Sequence, residues 1–392
     1  MAAARSLARP AGIDNDGVFH SSVTGRGFWG IALGLLITAI YIVIYFGSRI
    51  PLETGTLHDL FQARLYSRFD PISQWARNKP ADNWFFYSLL YTLAVFVFGI
   101  RMLLKYRHSN YHILRTISLM VVQTGFGFAI PQILTLFQSK EYYFSYFWPL
   151  KPEYLYPSTW MAAAPEALAT FFSGQAPLFF YFLVFGALMT FVATPILTYY
   201  FGKRWYCSWV CGCGGLANTA GDPFRQLSDK SLKAWKLERW LIHSVLVFIT
   251  IVTVVLWINS LSNGEVLGDL GASISEVYGL YIGMIFSGVV GVGFYPVLGT
   301  RVWCRFGCPM AAILGIIQRF FSRFRITTNG GQCISCGNCS TYCEMGIDVR
   351  WYAQRGQNIV RASCVGCGLC SAVCPRGVLN LENGIVSARI QG

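Results

Sequence analysis

The sequence predicts an α-helical membrane protein in which a six-span helix bundle is followed by a small C-terminal α+β domain. Hydrophobic residues make up 54% of the 392 residues and charged residues only 12%, about half of the roughly 25% typical of soluble proteins. Six apolar stretches are each long enough for the helix of about 20 residues that crosses a bilayer. The 13 cysteines all lie after residue 206, in short clusters. This composition excludes intrinsic disorder, which requires low hydrophobicity and high charge, and disfavours an ordinary soluble enzyme.

The six predicted spans follow a tail formed by residues 1–27. They are Phe28–Phe46, Trp84–Leu104, Thr116–Phe137, Pro177–Phe201, Trp240–Leu261 and Val277–Leu298. The first is expected to be a retained anchor, because its apolar run is longer than the core of a signal peptide and no small-residue cleavage site follows it.

Basic residues are distributed unevenly between alternate connecting segments. If the N-terminus is inside, the inside segments contain 24 basic and 8 acidic residues, and the outside segments contain 7 basic and 10 acidic residues. Because basic segments stay on the cytoplasmic side, we predict a protein of the cytoplasmic (inner) membrane with its N-terminal tail and its C-terminal domain in the cytoplasm. The net charge of +13 is then a feature of topology, and no nucleic-acid partner is expected.

Two of the predicted outside segments are long. Arg49–Asn83 is mixed in charge and has room for a surface helix. Ser139–Gln175 is rich in aromatic residues, for which two interpretations are open. One is a belt of aromatic side chains at the membrane interface, and the other is a docking face or the lip of a quinone pocket.

The C-terminal cysteines form two runs with the same spacing, C-x2-C-x2-C-x3-C. The runs are Cys333, Cys336, Cys339 and Cys343, then, after 20 intervening residues, Cys364, Cys367, Cys370 and Cys374. This is the spacing of bacterial two-cluster ferredoxins, in which the fourth cysteine of each run binds the other cluster. We therefore predict a cytoplasmic domain over residues 327–392 that binds two [4Fe–4S] clusters. The predicted ligand sets are Cys333, Cys336, Cys339 and Cys374 for one, and Cys364, Cys367, Cys370 and Cys343 for the other.

Other interpretations of these runs are disfavoured. Zinc sites use pairs of cysteines separated by a longer spacer, and disulfides are rare in cytoplasmic domains. Glu344 stands after the first run where a proline is common. This departure changes the surroundings of a cluster but removes no ligand.

Five further cysteines follow two of the spans within the predicted bundle, residues 28–326. Cys207, Cys211 and Cys213 follow the fourth span, and Cys304 and Cys308 follow the sixth. Aligning the first cysteine of each segment also aligns a glycine, an arginine, an aromatic residue and a second cysteine, which indicates an internal repeat. The matched pairs are Gly202 and Gly299, Arg204 and Arg301, Tyr206 and Trp303, and Cys211 and Cys308.

These membrane-edge cysteines predict a third metal centre. Positions four apart in a helix share a face, so two C-x3-C pairs that meet can supply four thiolates. We predict a third iron–sulfur cluster on Cys207, Cys211, Cys304 and Cys308, with Cys213 either replacing Cys211 or having no ligand role. The alternatives are free thiols that cap helices and a structural metal site.

At these residues the chain resembles membrane polyferredoxins of the NosR/NapH type, in which C-x3-C-P motifs at cytoplasmic span ends precede a two-cluster ferredoxin domain. Cys304, Cys308 and Pro309 fit the motif, whereas Gly212 replaces the proline of the other motif. The resemblance covers residues 199–376 and implies service to a respiratory or periplasmic redox enzyme or to its maturation. The outside flavin-binding domain of the larger members is expected to be absent, because 27 residues precede the first predicted span.

Polar residues inside the predicted spans leave two further sites open. His112 and His243 lie near the inner ends of the third and fifth spans, and histidines on opposite helices can ligate haem. Haem b is nevertheless less favoured than hydrogen-bonded histidines. The third span is interrupted by Gln123, Thr124, Gly125, Gly127, Pro131 and Gln132. Such a break must face protein or a cavity, so a quinol site and simple helix packing both remain open.

The predicted function is one-electron transfer through two [4Fe–4S] clusters and a third membrane-edge centre. The donor and acceptor are a cytoplasmic or quinone partner and a respiratory or periplasmic redox partner, so we expect an electron-transfer subunit of an oxidoreductase complex. Its expected partners are membrane lipid and other redox subunits, with quinol as a further candidate. Two alternatives remain: an accessory factor that matures a respiratory metalloenzyme or reduces its metal, and a redox-sensing membrane regulator.

Overall fold

Six long apolar helices form the main body of the protein. The computed structural model describes residues 27–52, 55–137, 142–161, 170–172, 176–262 and 265–384. Most of the predicted tail, the last eight residues and parts of the aromatic segment 139–175 lie outside these described residues. Within them, the six helices that are long and apolar enough to cross a membrane are Phe28–Arg49, Asn83–Lys105, Asn110–Leu136, Leu178–Phe201, Leu232–Leu261 and Ser273–Gly293. The prediction of six such helices is confirmed.

Three of these helices begin or end at residues other than those predicted. The third begins at Asn110 and the fifth at Leu232, because both helices continue through polar residues that the apolar pattern left out. The fifth helix is fixed at its start by the Ser231 hydroxyl, which accepts a hydrogen bond from the Ala234 amide (3.1 Å). The sixth ends at Gly293, where Phe294 leaves the helical conformation.

Wider π-helical turns interrupt the third, fourth and sixth apolar helices. They span Gly125–Ala129, Met189–Ala193 and Gly279–Val290. The first coincides with the glycines predicted to weaken the third helix. Since π-bulges occur frequently at functional sites, the segment around Gly125 marks a part of the bundle that could line a cavity.

Shorter elements connect these helices. The segment after the first helix, predicted to have room for one surface helix, holds the short antiparallel pair Pro51–Leu52 and Gly55–Thr56 and two helices. Those helices are Leu57–Arg64 and Asp70–Arg77. The remaining short α-helices before the C-terminal domain are Arg204–Cys207, Gly212–Asn218, Tyr295–Leu298, Val302–Phe306 and Pro309–Phe320. Short 3₁₀ turns lie at Gly47–Arg49, Tyr66–Phe69, Pro152–Leu155, Asp222–Leu227 and Gly330–Gln332.

The C-terminal domain is a small α+β unit, as predicted. Strand Arg325–Thr328 pairs antiparallel with strand Leu379–Glu382 and closes the two ends of the domain together. Three short helices lie between them: Asn338–Thr341, Val349–Gln354 and Leu369–Ala372. The first and third each follow a glycine in the left-handed region, Gly337 (φ 84°) and Gly368 (φ 81°). The two cysteine runs therefore adopt the same local fold.

The two membrane-edge segments also share one backbone conformation. Gly202 and Gly299 both adopt positive φ (66° and 87°) and end the helix before them. The amide of each second cysteine then donates to the carbonyl five residues earlier. These bonds join Cys211 to Tyr206 (2.8 Å) and Cys308 to Trp303 (3.0 Å). The internal repeat inferred from the sequence is thus present in the structure.

The C-terminal domain rests on the preceding helices through its loop 361–367. Backbone carbonyl oxygens of this loop accept hydrogen bonds from side chains outside the domain. The pairs are Gln318 with Arg361 and Cys364 (both 2.8 Å), Lys203 with Ala362 (3.3 Å), Ser208 with Val365 (2.7 Å), Tyr111 with Gly366 (2.7 Å) and Arg115 with Cys367. Because each net hydrogen bond contributes about 1 kcal/mol, the loop is held in one position.

The close approach of Gly214 to the segment of Cys207 gives a first test. A β-carbon on Gly214 would lie 2.1 Å from the backbone oxygen of Cys207, so Gly214→Ala must displace one of the two segments. Overpacking of this kind costs about 1–3 kcal/mol, and we expect a lower apparent melting temperature of the detergent-solubilised protein. Gly283→Ala is the control, because a β-carbon there meets no atom within 4 Å. Equal melting of Gly214→Ala and wild type would contradict this packing.

Candidate iron–sulfur sites

The first predicted ligand set surrounds one small cavity. Cys333, Cys336, Cys339 and Cys374 all line a space of about 20 Å³. Three of them come from the first cysteine run and one from the second, as the crossed assignment requires. Cys336 is exposed, so this site, which we call the distal site, lies at the outer face of the domain.

The second predicted ligand set lies deeper. Cys364 and Cys370 are buried, and the thiol of Cys370 interacts electrostatically with those of Cys367, Cys364 and Cys343, and also with that of Cys339 from the distal set. Burial raises the pKa of Cys364 to about 11 and that of Cys367 to about 12. We call this group the proximal site, because the loop 361–367 that holds two of its cysteines is the one bound to the helices.

The donor groups at both sites fit an iron–sulfur cluster. All thirteen cysteines are free thiols. Backbone amides also point at ligand sulfurs in matched positions, from Ile347 to Cys343 (3.4 Å) and from Val378 to Cys374 (3.3 Å). In the described part of the chain, no three His, Cys, Asp or Glu side chains are placed to hold a single metal ion. A [4Fe–4S] cube does not need such convergence, since its four thiolates surround the whole cluster.

The five membrane-edge cysteines form one further group of thiols. Burial raises the pKa of Cys207 to about 12, and the neighbouring thiols of Cys211 and Cys304 act in the same direction. The thiol of Cys308 interacts in turn with those of Cys304, Cys207 and Cys211. The structure therefore brings together the two C-x3-C pairs that lie almost 100 residues apart in the sequence.

Cys211 and Cys308 occupy equivalent positions in this group. Each stands at the N-terminal cap of a short helix, Gly212–Asn218 or Pro309–Phe320. The sulfur of Cys308 accepts a hydrogen bond from the amide three residues on (3.4 Å), and the amide at the same position after Cys211, that of Gly214, acts to lower the pKa of Cys211. This equivalence favours Cys211, rather than Cys213, as the partner of Cys308 in a ligand set.

Cys213 influences the pKa of Cys211 and does not occupy an equivalent ligand position. The neighbouring Cys213 thiol is the main cause that lowers the pKa of Cys211. A lowered pKa favours the thiolate, which is the form that binds metal. Cys213 itself lines a second, larger cavity on the side of the helix bundle.

A buried ion network joins the proximal site to the membrane-edge thiols. Its centre is Glu344, whose carboxylate accepts from Arg301 (3.0 Å) and from Arg225. Arg301 also donates to the Cys207 carbonyl oxygen (3.1 Å) and lies 3.7 Å from the Cys304 sulfur. Since Glu344 directly follows Cys343, a single arginine side chain connects the surroundings of two ligand sets.

The same network continues to the second apolar helix. Arg225 donates to Asp222 (2.8 Å), and Lys105 donates to the other carboxylate oxygen (2.7 Å). Burial alone would raise the pKa of Asp222, but Arg225 and Lys105 outweigh burial and lower it to about 2. Burial likewise opposes ionisation of Glu344, yet Arg225 and Arg301 hold its pKa below the ordinary value. Both carboxylates are therefore charged at neutral pH.

Most of this network could not be predicted from the sequence. Glu344 departs from the usual proline and Arg301 matches Arg204 in the repeat, but no motif assigns a role to Arg225 or Asp222. The two repeat arginines in fact differ, because Arg204 lies over the Phe324 ring (4.5 Å) and donates to Asn383 (2.9 Å). A charged residue at a position that usually holds proline was the only signal available.

The larger cavity lies among the apolar helices. It measures about 610 Å³, and its wall includes Tyr45, Tyr87, Tyr91, Gln123, Gly127 and Cys213. The Tyr91 hydroxyl lies 2.9 Å from both the Gln123 side-chain oxygen and the Gly212 carbonyl oxygen, and Gln123 donates to Val210. The polar interruption of the third helix therefore faces a cavity and contacts the loop of Cys211 and Cys213.

The two histidines considered for haem lie in different surroundings. His112 is buried, stacks on Tyr106 (5.2 Å between rings) and lies at the interface with the C-terminal domain beside Gly368. His243 is exposed and lines a third cavity near the start of the fifth helix. The haem interpretation stays an unfavoured prediction.

The regions around both groups of cysteines match protein-family models. A family model described as "4Fe-4S dicluster domain" matches residues 327–381, and one described as "4Fe-4S binding domain" matches twice, over residues 183–231 and 280–327. The chain contains 4Fe–4S ferredoxin-type domains. The two matches of one model begin 97 residues apart, as Cys207 and Cys304 do, so the inferred repeat is confirmed.

Distant relatives include proteins of electron transport. YccM of Escherichia coli (strain K12), assigned provisionally to electron transport, is 25% identical over 41% of this chain and 46% of its own. The methylamine utilization ferredoxin-type protein MauN of Methylobacillus flagellatus is 26% identical over 47% of this chain and 64% of its own. The uncharacterized protein MJ0749 of Methanocaldococcus jannaschii is 25% identical over 42% of this chain and 61% of its own. The chain thus spans about half to just under two thirds of these relatives.

No solved structure matches the chain. The relatives agree with a ferredoxin-type electron transport protein but do not single out the NosR/NapH type, which stays a prediction.

The network around Glu344 predicts that removing this carboxylate lowers stability far more than removing the exposed carboxylate of Glu276. Glu344→Ala leaves Arg225 and Arg301 buried without their carboxylate, which costs about 3–5 kcal/mol. We expect a strongly lowered apparent melting temperature and easier proteolysis between the helices and the C-terminal domain. The control is Glu276→Ala, whose partner Arg49 lies 3.1 Å away with both side chains exposed, since such surface pairs contribute about 0–1 kcal/mol. Similar melting of the two variants would refute a structural role for the network.

Proposed function

We propose that this chain is a membrane-bound iron–sulfur electron-transfer protein. In this proposal, single electrons pass between a redox partner at the exposed face of the C-terminal domain and the large cavity among the helices. The observation that supports it most directly is the position of the membrane-edge thiols. They lie between the proximal site, through Arg301 and Glu344, and the cavity, through Cys213.

The proposal contains three ligand sets. Two are the distal and proximal sets of the C-terminal domain, and the third is Cys207, Cys211, Cys304 and Cys308. Bound [4Fe–4S] clusters would supply reversible one-electron chemistry, with potentials set by hydrogen bonds to sulfur, charge and burial. Cys336 of the distal set is exposed and Cys370 of the proximal set is buried, which agrees with a path that begins at the protein surface.

The relatives support this assignment of function. The name of YccM refers to electron transport, and the name of MauN refers to a ferredoxin-type protein. The alignments with these two relatives cover 41% and 47% of this chain. We extend electron transfer from them to this chain. The expected partners are other redox subunits of a respiratory or periplasmic enzyme.

The large cavity supports a quinone or quinol as the partner inside the bundle. Its volume of about 610 Å³ falls in the range of about 300–1,000 Å³ typical of ligand pockets. Aromatic rings supply an apolar wall, while Tyr91, Gln123 and Lys151 supply polar groups. Tyr143 and Tyr146 of the aromatic outside segment also line it, which agrees with the interpretation of that segment as the lip of a quinone pocket.

The orientation in the membrane is part of the proposal. The excess of basic residues on the segments that flank the C-terminal domain supports its position in the cytoplasm, by the positive-inside rule. The six apolar helices would then cross the cytoplasmic (inner) membrane, with the aromatic segment on the opposite side. A protease added to right-side-out vesicles should leave the C-terminal domain intact.

Iron content tests the third ligand set. Anaerobically purified wild type should contain about twelve irons and as many acid-labile sulfides, because each cluster holds four irons. Cys304→Ser/Cys308→Ser should contain about eight and lose one EPR signal on reduction. Cys213→Ser is the matched control and should keep about twelve, since Cys213 is not in the set. About eight irons in wild type would remove the membrane-edge cluster from the proposal.

Filling the large cavity tests the quinone site. Ser287 lines the cavity and donates to its own helix, so Ser287→Phe should block the space without removing a cysteine. We expect electron exchange between a water-soluble quinol and the clusters, followed by absorbance, to slow by at least about tenfold, the cost of roughly 1.4 kcal/mol. Thr250→Phe, at an exposed position on the fifth helix, should exchange electrons as wild type does.

The two tests separate parts of the proposal. If both phenylalanine variants keep wild-type rates while the iron content is about twelve, the clusters exchange electrons without this cavity. The quinone site would then be rejected, and a soluble donor and acceptor would replace it.

A further inference from the structure

A third cavity lies between the helices and the C-terminal domain. It measures about 460 Å³ and is bounded by the start of the fifth apolar helix, the helix Pro309–Phe320 and the segment 360–363. Cys304 forms part of its wall. Neither the one-electron chemistry nor the quinone cavity makes use of it.

The wall of this cavity is strongly basic. Six lysine and arginine residues line it: Lys203, Lys236, Arg239, Arg305, Arg319 and Arg361. The one carboxylate among the lining residues, Glu238, is already paired with Arg305 (2.7 Å). The cavity therefore presents a net positive charge that selects an anion.

One buried donor in this wall has no partner. Arg305 is 4% exposed; its Nε donates to Glu238 and its Nη1 donates to the Asp229 carbonyl oxygen (2.6 Å). Its Nη2 is buried and has no hydrogen-bond partner among the described residues. Buried donors are nearly always satisfied, so this nitrogen is available to an acceptor oxygen bound at this wall.

The position of the cavity along the fifth helix, at the boundary between its charged and apolar residues, indicates the source of that anion. The helix has its charged residues, Lys233, Lys236, Glu238 and Arg239, in its first turns, and none from Trp240 to Leu261. The cavity lies at this boundary and is lined by the exposed ring of Trp240. Phe320, which is also exposed, directly follows the lining residue Arg319. In a spanning helix such a boundary lies at the lipid headgroups, and tryptophan is enriched there.

We propose that this cavity binds the phosphate of an anionic phospholipid from the leaflet on the side of the C-terminal domain. The basic side chains and the free Arg305 donor hold the phosphodiester, while Trp240 and Phe320 contact the start of the acyl chains. Basic pockets between transmembrane helices on the cytoplasmic side are known to suit anionic headgroups. The site places a lipid phosphate against the wall formed by Cys304.

Native mass spectrometry of the whole, detergent-solubilised protein tests this site. The probes are phosphatidylglycerol, phosphatidylcholine and inorganic phosphate. Wild type should bind phosphatidylglycerol in preference to phosphatidylcholine. Lys236→Gln/Arg239→Gln should bind phosphatidylglycerol about tenfold or more weakly, because each basic residue near a headgroup contributes about fivefold.

The control removes two charges elsewhere. Lys233→Gln/Arg107→Gln changes exposed basic residues that do not line the cavity, so its affinity should stay within about twofold of wild type. An equal loss in both double variants would mean general surface attraction and would overturn the site. Both variants alter exposed side chains, and unchanged melting will show that they fold.

Inorganic phosphate separates a lipid from a free anion. Excess phosphate should leave the bound phosphatidylglycerol in place, because the lipid also has its acyl chains in contact with the protein. Complete displacement by phosphate would assign the cavity to a soluble phosphorylated compound and overturn the lipid proposal. Neither result depends on the number of clusters or on quinol, so failure here leaves the proposed electron transfer untouched.

Discussion

The carboxylate of Glu344, buried between Arg225 and Arg301, is the contact on which the arrangement of the molecule depends. One arginine comes from each half of the internal repeat, and the carboxylate comes from the C-terminal domain. Three charged groups without solvent exposure are tolerated only together, because removing one leaves an uncompensated buried charge. The network thereby fixes the C-terminal domain against both repeat halves at once, and it does so one residue from a predicted cluster ligand.

Much of the fold could be predicted from the sequence, since it depends on patterns that are local. Six apolar runs gave six helices, and the spacing of two cysteine runs gave a domain with two similar halves. The alignment of Cys207 with Cys304 gave the repeat, which one family model then matched twice. The ends of the third and fifth helices could not be predicted from hydrophobicity, because polar turns continue those helices beyond the apolar run.

The contacts between distant segments could not be predicted from the sequence for a different reason. Arg225 and Glu344 are 119 residues apart, and no periodicity relates them. The same holds for the carbonyl oxygens of loop 361–367, whose partners are scattered from Tyr111 to Gln318. The choice between Cys211 and Cys213 also required coordinates, because it rests on the matched capping positions of Cys211 and Cys308.

The burial of the thiols bears on how such a protein is made. Cys304, Cys308, Cys364 and Cys370 are all buried in the folded protein. A scaffold protein that delivers iron and sulfide must touch these sulfurs directly, and the docked structure gives it no access. Under the proposed function, cofactor delivery would therefore precede the complete burial of these thiols. The ion pairs of Glu344 with Arg225 and Arg301 would form after the clusters are inserted.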